Sequence, residues 1–401
     1  MREGWHVEPL SKVCQLINRG ISPVYLDDGG TAVLNQKCIR DHSINYDLGR
    51  RHCVTTKRVS ADKLVRVGDV LVNSTGTGTL GRVAQVRDEP HEPTTVDSHV
   101  TIVRPKDGLF FPEFFGYALI AIENQIQEGG EGCGGQTELA RSKLANDYHV
   151  SFPTSIPEQR RIVAILDEAF EGIATAKANA EKNLQNAREV FESYLNAVFS
   201  QRGEGWVEKR LGDVCEIARG GSPRPIKAFL TDDEDGINWV KISDASSSSK
   251  YIYNTAEKIV QAGVKRSRLV HNGDFLLSNS MSFGRPYIMR TTGCIHDGWL
   301  VLSAYEKYLN QDFLYQVLGS QYVFEQFDKL AAGSTVRNLN IDLASSVIIP
   351  IPPKSVQDAL AIKNTELDQE VQHLESIYQQ KLAALDELKQ SLLHQAFNGD
   401  L

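Results

Sequence analysis

The chain of 401 residues repeats itself. Gly4-Trp5, Leu10, Val13-Cys14, Arg19-Gly20 and Ser22-Pro23 return as Gly205-Trp206, Leu211, Val214-Cys215, Arg219-Gly220 and Ser222-Pro223, with one residue of gap. Gly68-Asp69-Val70-Leu71 through Gly81-Arg82 corresponds to Gly273-Asp274-Phe275-Leu276 through Gly284-Arg285, Asp97 with VTIV to Asp297 with WLVL, and Gly135-Gln136-Thr137 to Gly333-Ser334-Thr335. A period near 200 constrains the fold more than any local propensity, since both copies must satisfy one architecture. It predicts a globular domain followed by a long helix, used twice, with segments 1–156, 157–200, 201–354 and 355–401.

Within each globular segment, apolar runs bounded by Gly, Pro and Asp (VLVNS, VTIVRP, FLLSNS, VIIPIP) read as strands. PEFFGYALIAIENQ and NQDFLYQVLGSQYVFEQF read as amphipathic helices. The expected class is α+β, with strand order left open.

The 157–200 segment places Ile162, Leu166, Ala169, Ile173, Ala176, Ala180, Leu184, Ala187, Phe191, Tyr194 and Val198 at steps of three and four, a heptad seam with one stutter between Ala176 and Leu184. Adding 198 gives Leu360, Asn364, Leu367, Val371, Leu374, Tyr378, Leu382, Leu385, Lys389, Leu392 and Ala396, where only Asn364 and Lys389 are polar. Helices of this length span ~65 Å and cannot hide a narrow seam alone. Antiparallel pairing of the two within one chain is the expected closure, with packing of each helix on its own domain as the alternative. Such pairing imposes a pseudo-two-fold, the symmetry with which dimeric proteins read duplex DNA. Here the two copies differ, so two different half-sites are expected.

The formal charge of −8 at first argues against nucleic acid. Divided by segment it reads −2 for 1–156, −2 for 157–204, +1 for 205–354 and −5 for 355–401, so the helices carry nearly all of it. Each globular segment has a basic stretch upstream of its Gly-Asp pair: Arg50, Arg51, Lys57, Arg58, Lys63 and Arg66 in the first, Lys258, Lys265, Arg266 and Arg268 in the second. Their matched placement makes them candidate phosphate contacts.

Motifs for catalysis are sparse. Gly76-Thr77-Gly78-Thr79-Leu80-Gly81 fits GxGxxG, but a dinucleotide or S-adenosylmethionine site needs a helix next, and RVAQVRDEPHEP alternates like a strand. No phosphate-loop motif is present, and GGEGCGG has no following lysine. The six cysteines (Cys14, Cys38, Cys53, Cys133, Cys215, Cys294) lack zinc spacing. His99, beside a strand-like run, reads as a packed residue. With no apolar run of membrane-helix length and no signal-peptide layout at MREGWHVEPL, a cytoplasmic protein is expected.

The tandem plan, the GW…L…V opening, NWVKISD, GDFLLSNSMSFGRPYI, GSTVRNLN, PEQRRIVAILD and LLHQAFNGDL together resemble the specificity subunit of type I restriction-modification systems over essentially the whole chain. The resemblance implies two target-recognition domains, each reading half of a bipartite double-stranded DNA site, and a helical spacer that binds methyltransferase subunits. It implies no catalytic residue, metal or cofactor in this chain. Two methyltransferase subunits would use S-adenosylmethionine to methylate adenine N6, and two motor-nuclease subunits would use ATP and Mg to restrict. The base-reading loops would carry Arg82 with Arg285, and Gln136-Thr137 with Ser334-Thr335 and Arg337. The second helix starts KSVQDALAIK where the family shows a PEQRRI-like sequence, a departure that bears on docking there. An autonomous S-adenosylmethionine-dependent methyltransferase, resting on GTGTLG, and a coiled-coil scaffold without DNA are the competing readings.

Overall fold

The computed structural model describes residues 4–132, 137–246, 250–279, 283–331 and 338–401. The chain forms two compact units, Met1–Ala180 with Gln380–Leu401 and Glu181–Gln379. The division cuts each long helix near its middle, so each unit owns a globular part and one end of both helices.

In the first unit the central sheet is antiparallel, ordered Cys14–Arg19, Val100–Pro105, Val70–Asn73, Val83–Gln85. Successive side chains of a strand point to opposite faces, and here both faces are covered. Val70, Val72 and Val103 join a cluster with Phe114, Phe115 and Leu119. Leu71, Val100 and Ile102 join another with Leu34, Ile39 and Val96. Burial on both faces is why these strands are continuous apolar runs. A second sheet is ordered Thr94–Val96, Thr31–Leu34, Arg50–His52, Tyr25–Leu26, with its first pair parallel. Trp5–Pro9 and His149–Pro153 make a separate antiparallel pair.

The second unit repeats this plan. Its central sheet runs Glu216–Arg219, Trp299–Ser303, Phe275–Ser278, Pro286–Met289, with Tyr251–Ile252 added in parallel at the edge. The second sheet is ordered Leu230–Thr231, Glu257–Ile259, Ile237–Val240, Gly293–Ile295, Arg268–Val270, and the equivalent pair is again parallel. Val207–Arg210 pairs with Ile348–Ile351. Phe275, Leu277, Leu300 and Leu302 face one cluster; Leu276, Tyr287, Met289 and Trp299 face the other.

The two amphipathic segments are each broken. Pro112–Ala121 and Glu123–Glu128 are separated at Ile122, and Gln311–Leu318 and Gln321–Ala331 at Gly319-Ser320, where the Ser320 hydroxyl donates back to Val317 O at 2.6 Å. Each break folds a short second helix onto the same sheet.

The long helices run Ile156–Gln201 and Lys354–Asn398. In the first unit Ile162 and Leu166 from the start of one share a cluster with Leu393, Ala396 and Phe397 from the end of the other, and the Phe114 and Phe397 rings lie 5.2 Å apart. In the second unit Phe199 and Leu360 meet in the same way, Phe199 stacking edge-on against Phe313 at 5.9 Å. The helices are therefore antiparallel in both units, and each helix end also packs on its own domain. Lys177 pairs with Asp386 in the first unit and Arg188 with Glu375 in the second.

Ile162, Leu166 and Ile173 are buried, and Leu184, Phe191, Leu360, Leu367, Val371, Leu385 and Leu392 are half-buried. Leu374 departs from the expected seam, being 41% exposed. The stutter turns the helix so that Glu375, not Leu374, faces the first helix and meets Arg188. Asn364, at a polar seam position, is buried and donates to Gln316 Oε1 at 2.9 Å.

Candidate nucleic-acid interface

The element built most alike in the two units is the turn after the first strand of each central sheet. Gly20 donates to Val100 O at 3.0 Å and Gly220 to Trp299 O at 2.9 Å; the next amides, Ile21 and Gly221, donate to Val96 O and Ile295 O at 2.9 and 3.1 Å. A Cβ on Gly20 would sit 1.9 Å from Val96 O, and one on Gly220 2.1 Å from His296 O, so only glycine lets the backbones approach. Arg19, one residue earlier, pairs with Glu138 at 2.6 Å and donates to Leu139 O at 2.8 Å. Arg219 donates to Asp297 O at 2.9 Å. Ser222 donates to the Asp297 carboxylate at 2.6 Å, which holds that carboxyl below its ordinary range, whereas burial pushes its counterpart Asp97 up.

Part of each basic stretch closes over this turn. Lys63 donates to Gly20 O at 2.9 Å, Lys57 to Ser22 O at 3.3 Å, and Arg268 to Arg219 O at 2.8 Å. These side chains fix the turn as well as supplying charge. Others lie apart from it. Arg50 stacks over Tyr25 at 3.4 Å, Arg51 pairs with Glu92 at 2.5 Å, Lys258 donates to Glu234 O at 2.8 Å, and Arg266 lies over Phe229 at 5.5 Å. Arg58, Arg66 and Lys265 are exposed.

A loop cluster flanks the turn. The glycine-rich residues 76–81 connect Val70–Asn73 to Val83–Gln85 in an antiparallel hairpin. With a strand where the helix should start, they do not form the cradle that a dinucleotide phosphate requires. Gly76 donates to Thr137 O at 3.1 Å, Leu139 to Ser74 O at 2.8 Å, and Arg82 Nη2 to Gly78 O at 2.9 Å, so Arg82 and Thr137 meet at one hairpin tip. His99 is exposed and hydrogen-bonds Thr75 Oγ1 at 2.6 Å; it is not the packed residue expected, because the turn at Asp97 lifts it out of the strand into this cluster. In the second unit Leu339 donates to Asn279 O at 2.8 Å, as Leu139 does to Ser74, and the Arg285 side chain is exposed at the matching hairpin. Gln136, Ser334, Thr335 and Arg337 lie outside the described residues. Asn73 Oδ1 and Asn279 Oδ1, buried beneath the hairpins, have no hydrogen-bond partner among the described residues.

Residues 203–381 match the type I restriction modification DNA specificity domain. The chain is similar to the MjaX type I restriction enzyme specificity subunit of Methanocaldococcus jannaschii, 21% identical over 91% of this chain and 87% of that protein. The family match thus lies on the second of the two repeated halves. Two solved structures share the fold. One, from work on complex assembly and conformational transition of the type I R-M system, has a TM-score of 0.81 at 19% identity, covering 100% of this chain and 99% of that one. The other, the HsdS subunit from Thermoanaerobacter tengcongensis, has a TM-score of 0.62 at 19% identity, covering 100% and 98%.

In each unit a buried side chain must hold the globular part against the long helix that follows it. Two glutamines, not singled out in the sequence, do so here. Gln159 accepts from the Phe111 amide at 2.7 Å and donates to Pro153 O at 2.8 Å and Leu109 O at 3.3 Å. Gln357 accepts from the Asn310 amide at 2.7 Å and donates to Pro352 O and Tyr308 O, both at 2.9 Å. Both are fully buried. They are separated by 198, the offset of the seam, which is the signal that could have found them. KSVQDALAIK thus keeps the glutamine of PEQRRI and its role, though it lacks the arginines. Among the described residues no three metal-binding side chains gather, and no helix is long and apolar enough to cross a membrane.

Proposed function

We propose that this chain is the specificity subunit of a type I restriction-modification system and reads an asymmetric, bipartite double-stranded DNA target, one half with each unit. In this reading it directs two methyltransferase subunits, which supply S-adenosylmethionine, to adenine N6. Two motor-nuclease subunits using ATP and Mg would add restriction, all in the cytoplasm. The chain itself would bind no cofactor. The observation that carries this reading is the duplicated turn and hairpin. The backbone frame is the same in both units while side chains on it differ: Ser74 and His99 in the first stand where the second has Asn279 and Gly298.

The division of labour follows from duplex chemistry. Phosphate contacts position a protein, and base-edge contacts in the groove specify the sequence. Arg58, Arg66 and Lys265, exposed near the anchored basic residues, suit the first role, with Arg50, Arg51, Lys57, Lys63, Lys258, Arg266 and Arg268 adding to the field. The hairpin residues, with Gln136, Ser334, Thr335 and Arg337, suit the second.

Co-expression with the cognate methyltransferase subunit, followed by genome-wide mapping of N6-methyladenine, tests the proposal. One asymmetric split motif is expected; a continuous motif, or none, contradicts it. Binding of S-adenosylmethionine by the purified chain alone would favour the autonomous methyltransferase. Alanine at Lys265, Arg266 and Arg268 should lower the salt dependence of duplex binding by about one unit of slope per lost phosphate contact. Unchanged binding would favour a scaffold.

A further inference from the structure

The helix-bearing faces of the two units differ at one place. The clamp residues fix the alignment: Phe111 and Asn310 donate to Gln159 and Gln357, so Gly116 in the first unit corresponds to Tyr315 in the second. The strand pairings Val70–Gln85 and Phe275–Ile288 likewise equate Gln85 with Ile288, and Arg87 with Arg290. In the second unit the space is filled. Tyr315 and Tyr251 flank the Lys250 ammonium at 4.9 and 5.2 Å, and Arg290 lies 4.3 Å from the Tyr251 ring.

In the first unit the same space is a cavity of about 380 Å³, bordered by Gly116, Gln85, Arg87, Ser43, Phe170 and Lys389. A cavity of about 150 Å³ can already hold a benzene ring. Gln85 is only 7% exposed; its Nε2 donates to Pro112 O at 2.5 Å and approaches Gly68 O at 3.4 Å, which leaves Oε1 as a buried acceptor without a donor among the described residues. An orphan acceptor of this kind costs about 1–3 kcal/mol until something donates to it. Beside it Arg87 lies 5.2 Å from the Tyr117 ring and presents a cation to one side of the cavity. On another side Asp41 and His42 hold left-handed backbone, at φ 51° and 60°, with His42 bonded to Glu123 at 2.6 Å and to the Lys389 ammonium at 3.4 Å.

We propose that this cavity receives a tyrosine side chain from a protein partner. The ring would lie beside Arg87 as Tyr251 lies beside Arg290, and its hydroxyl would donate to Gln85 Oε1. The second unit carries its own aromatic plug in Tyr315 and Tyr251, and the first takes a ring from outside. A phenol satisfies the requirements the cavity sets: planar bulk, a cation-facing π surface and one donor. Taking the methyltransferase subunit as the partner rests on the proposed function; the phenol site does not.

The probe is 4-methylphenol, titrated into the full chain and followed by ligand-detected NMR. Saturable binding is expected, at least about tenfold tighter than toluene, the difference being the hydroxyl's bond to Gln85. Gln85→Leu should erase that preference, and Gln85→Ile with Gly116→Tyr, which transplants the plug, should abolish binding. Should the double variant fail to fold, Gln85→Leu and the toluene comparison carry the test alone. Non-saturable binding, or equal binding of the two probes, overturns the site. Assembly with the methyltransferase subunit should exclude the probe; retention of binding in the complex overturns that partner while leaving the methylation motif to judge the proposed function separately.

Discussion

The two units share a frame and differ in how they stiffen it. Both bend at a Gly-Asp turn whose carboxylate accepts a backbone amide three residues back, Arg66 at 2.8 Å and His271 at 2.7 Å. In the first unit that carboxylate, Asp69, is also gripped by Arg104 through two bonds of 2.7 Å, with both groups buried. The second unit has Ser303 where Arg104 stands, and its Asp274 is partly exposed. The second unit in turn fills with Tyr315 and Trp299 what the first leaves as a cavity and smaller side chains. One copy is tied by charge, the other by rings. What stays constant is the glycine turn, the hairpin and the glutamine clamp, the parts that fix the hairpin loops relative to a helix.

This contrast can be broken most strongly at the ion pair. Arg104→Met leaves a buried carboxylate unpaired and should destabilise the first unit by about 3–5 kcal/mol, whereas Asp274→Asn should cost the second about 1 kcal/mol. Cys14 and Cys215 occupy equivalent buried places, and burial pushes both thiols up to about 12, so alkylation of each reports opening of its own unit. Faster labelling confined to Cys14 in Arg104→Met is expected. Equal acceleration at Cys215 would show that the units do not melt separately.

The clamps should behave alike. Gln159→Ala and Gln357→Ala each strand one buried amide donor and two carbonyls, for about 1–3 kcal/mol apiece, with exchange protection lost at Phe111 and Asn310 respectively. A loss at only one site would mean that the second helix has found another anchor.

A smaller effect distinguishes the thiols. Hydrogen bonds from Thr55 and then Thr56 lower Cys53 to about 7, so in the native protein it should label ahead of Cys14 and Cys215, its rate rising as pH passes through that value. Substitution of both threonines by valine should slow it.

The smallest effect concerns Lys389, the polar seam residue of the first unit. Burial and then the nearby Lys177 lower its pKa, so the unfolded chain binds the proton more tightly, and stability should rise as pH climbs towards the ordinary lysine range. Lys389→Met should flatten that alkaline rise; an unchanged profile would place the pH dependence elsewhere.

The period, the strand runs and the helix seam were legible because each is a local pattern written twice. Their both-face burial shows why VLVN and FLLS look alike despite little identity. Sheet partition was not legible, since parallel pairing of Thr31–Leu34 with Thr94–Val96 joins segments some sixty residues apart through no local signal. Basic residues were legible as charge but not as anchors: the amine of Lys63 finds Gly20 O only once the turn exists. His99 was misjudged for the same reason, the Asp97 turn being what raises it to the hairpin. Leu374 fits the seam by count and leaves it by geometry, because a stutter shifts the phase of the helix face.

The proposal that each unit reads its own half-site is tested most directly by replacing residues 205–354 with the corresponding domain of a type I specificity subunit and mapping N6-methyladenine in cells that also make the methyltransferase partner. The account predicts that one half of the split motif changes while the other half is retained. A motif altered in both halves, or in neither, would contradict it.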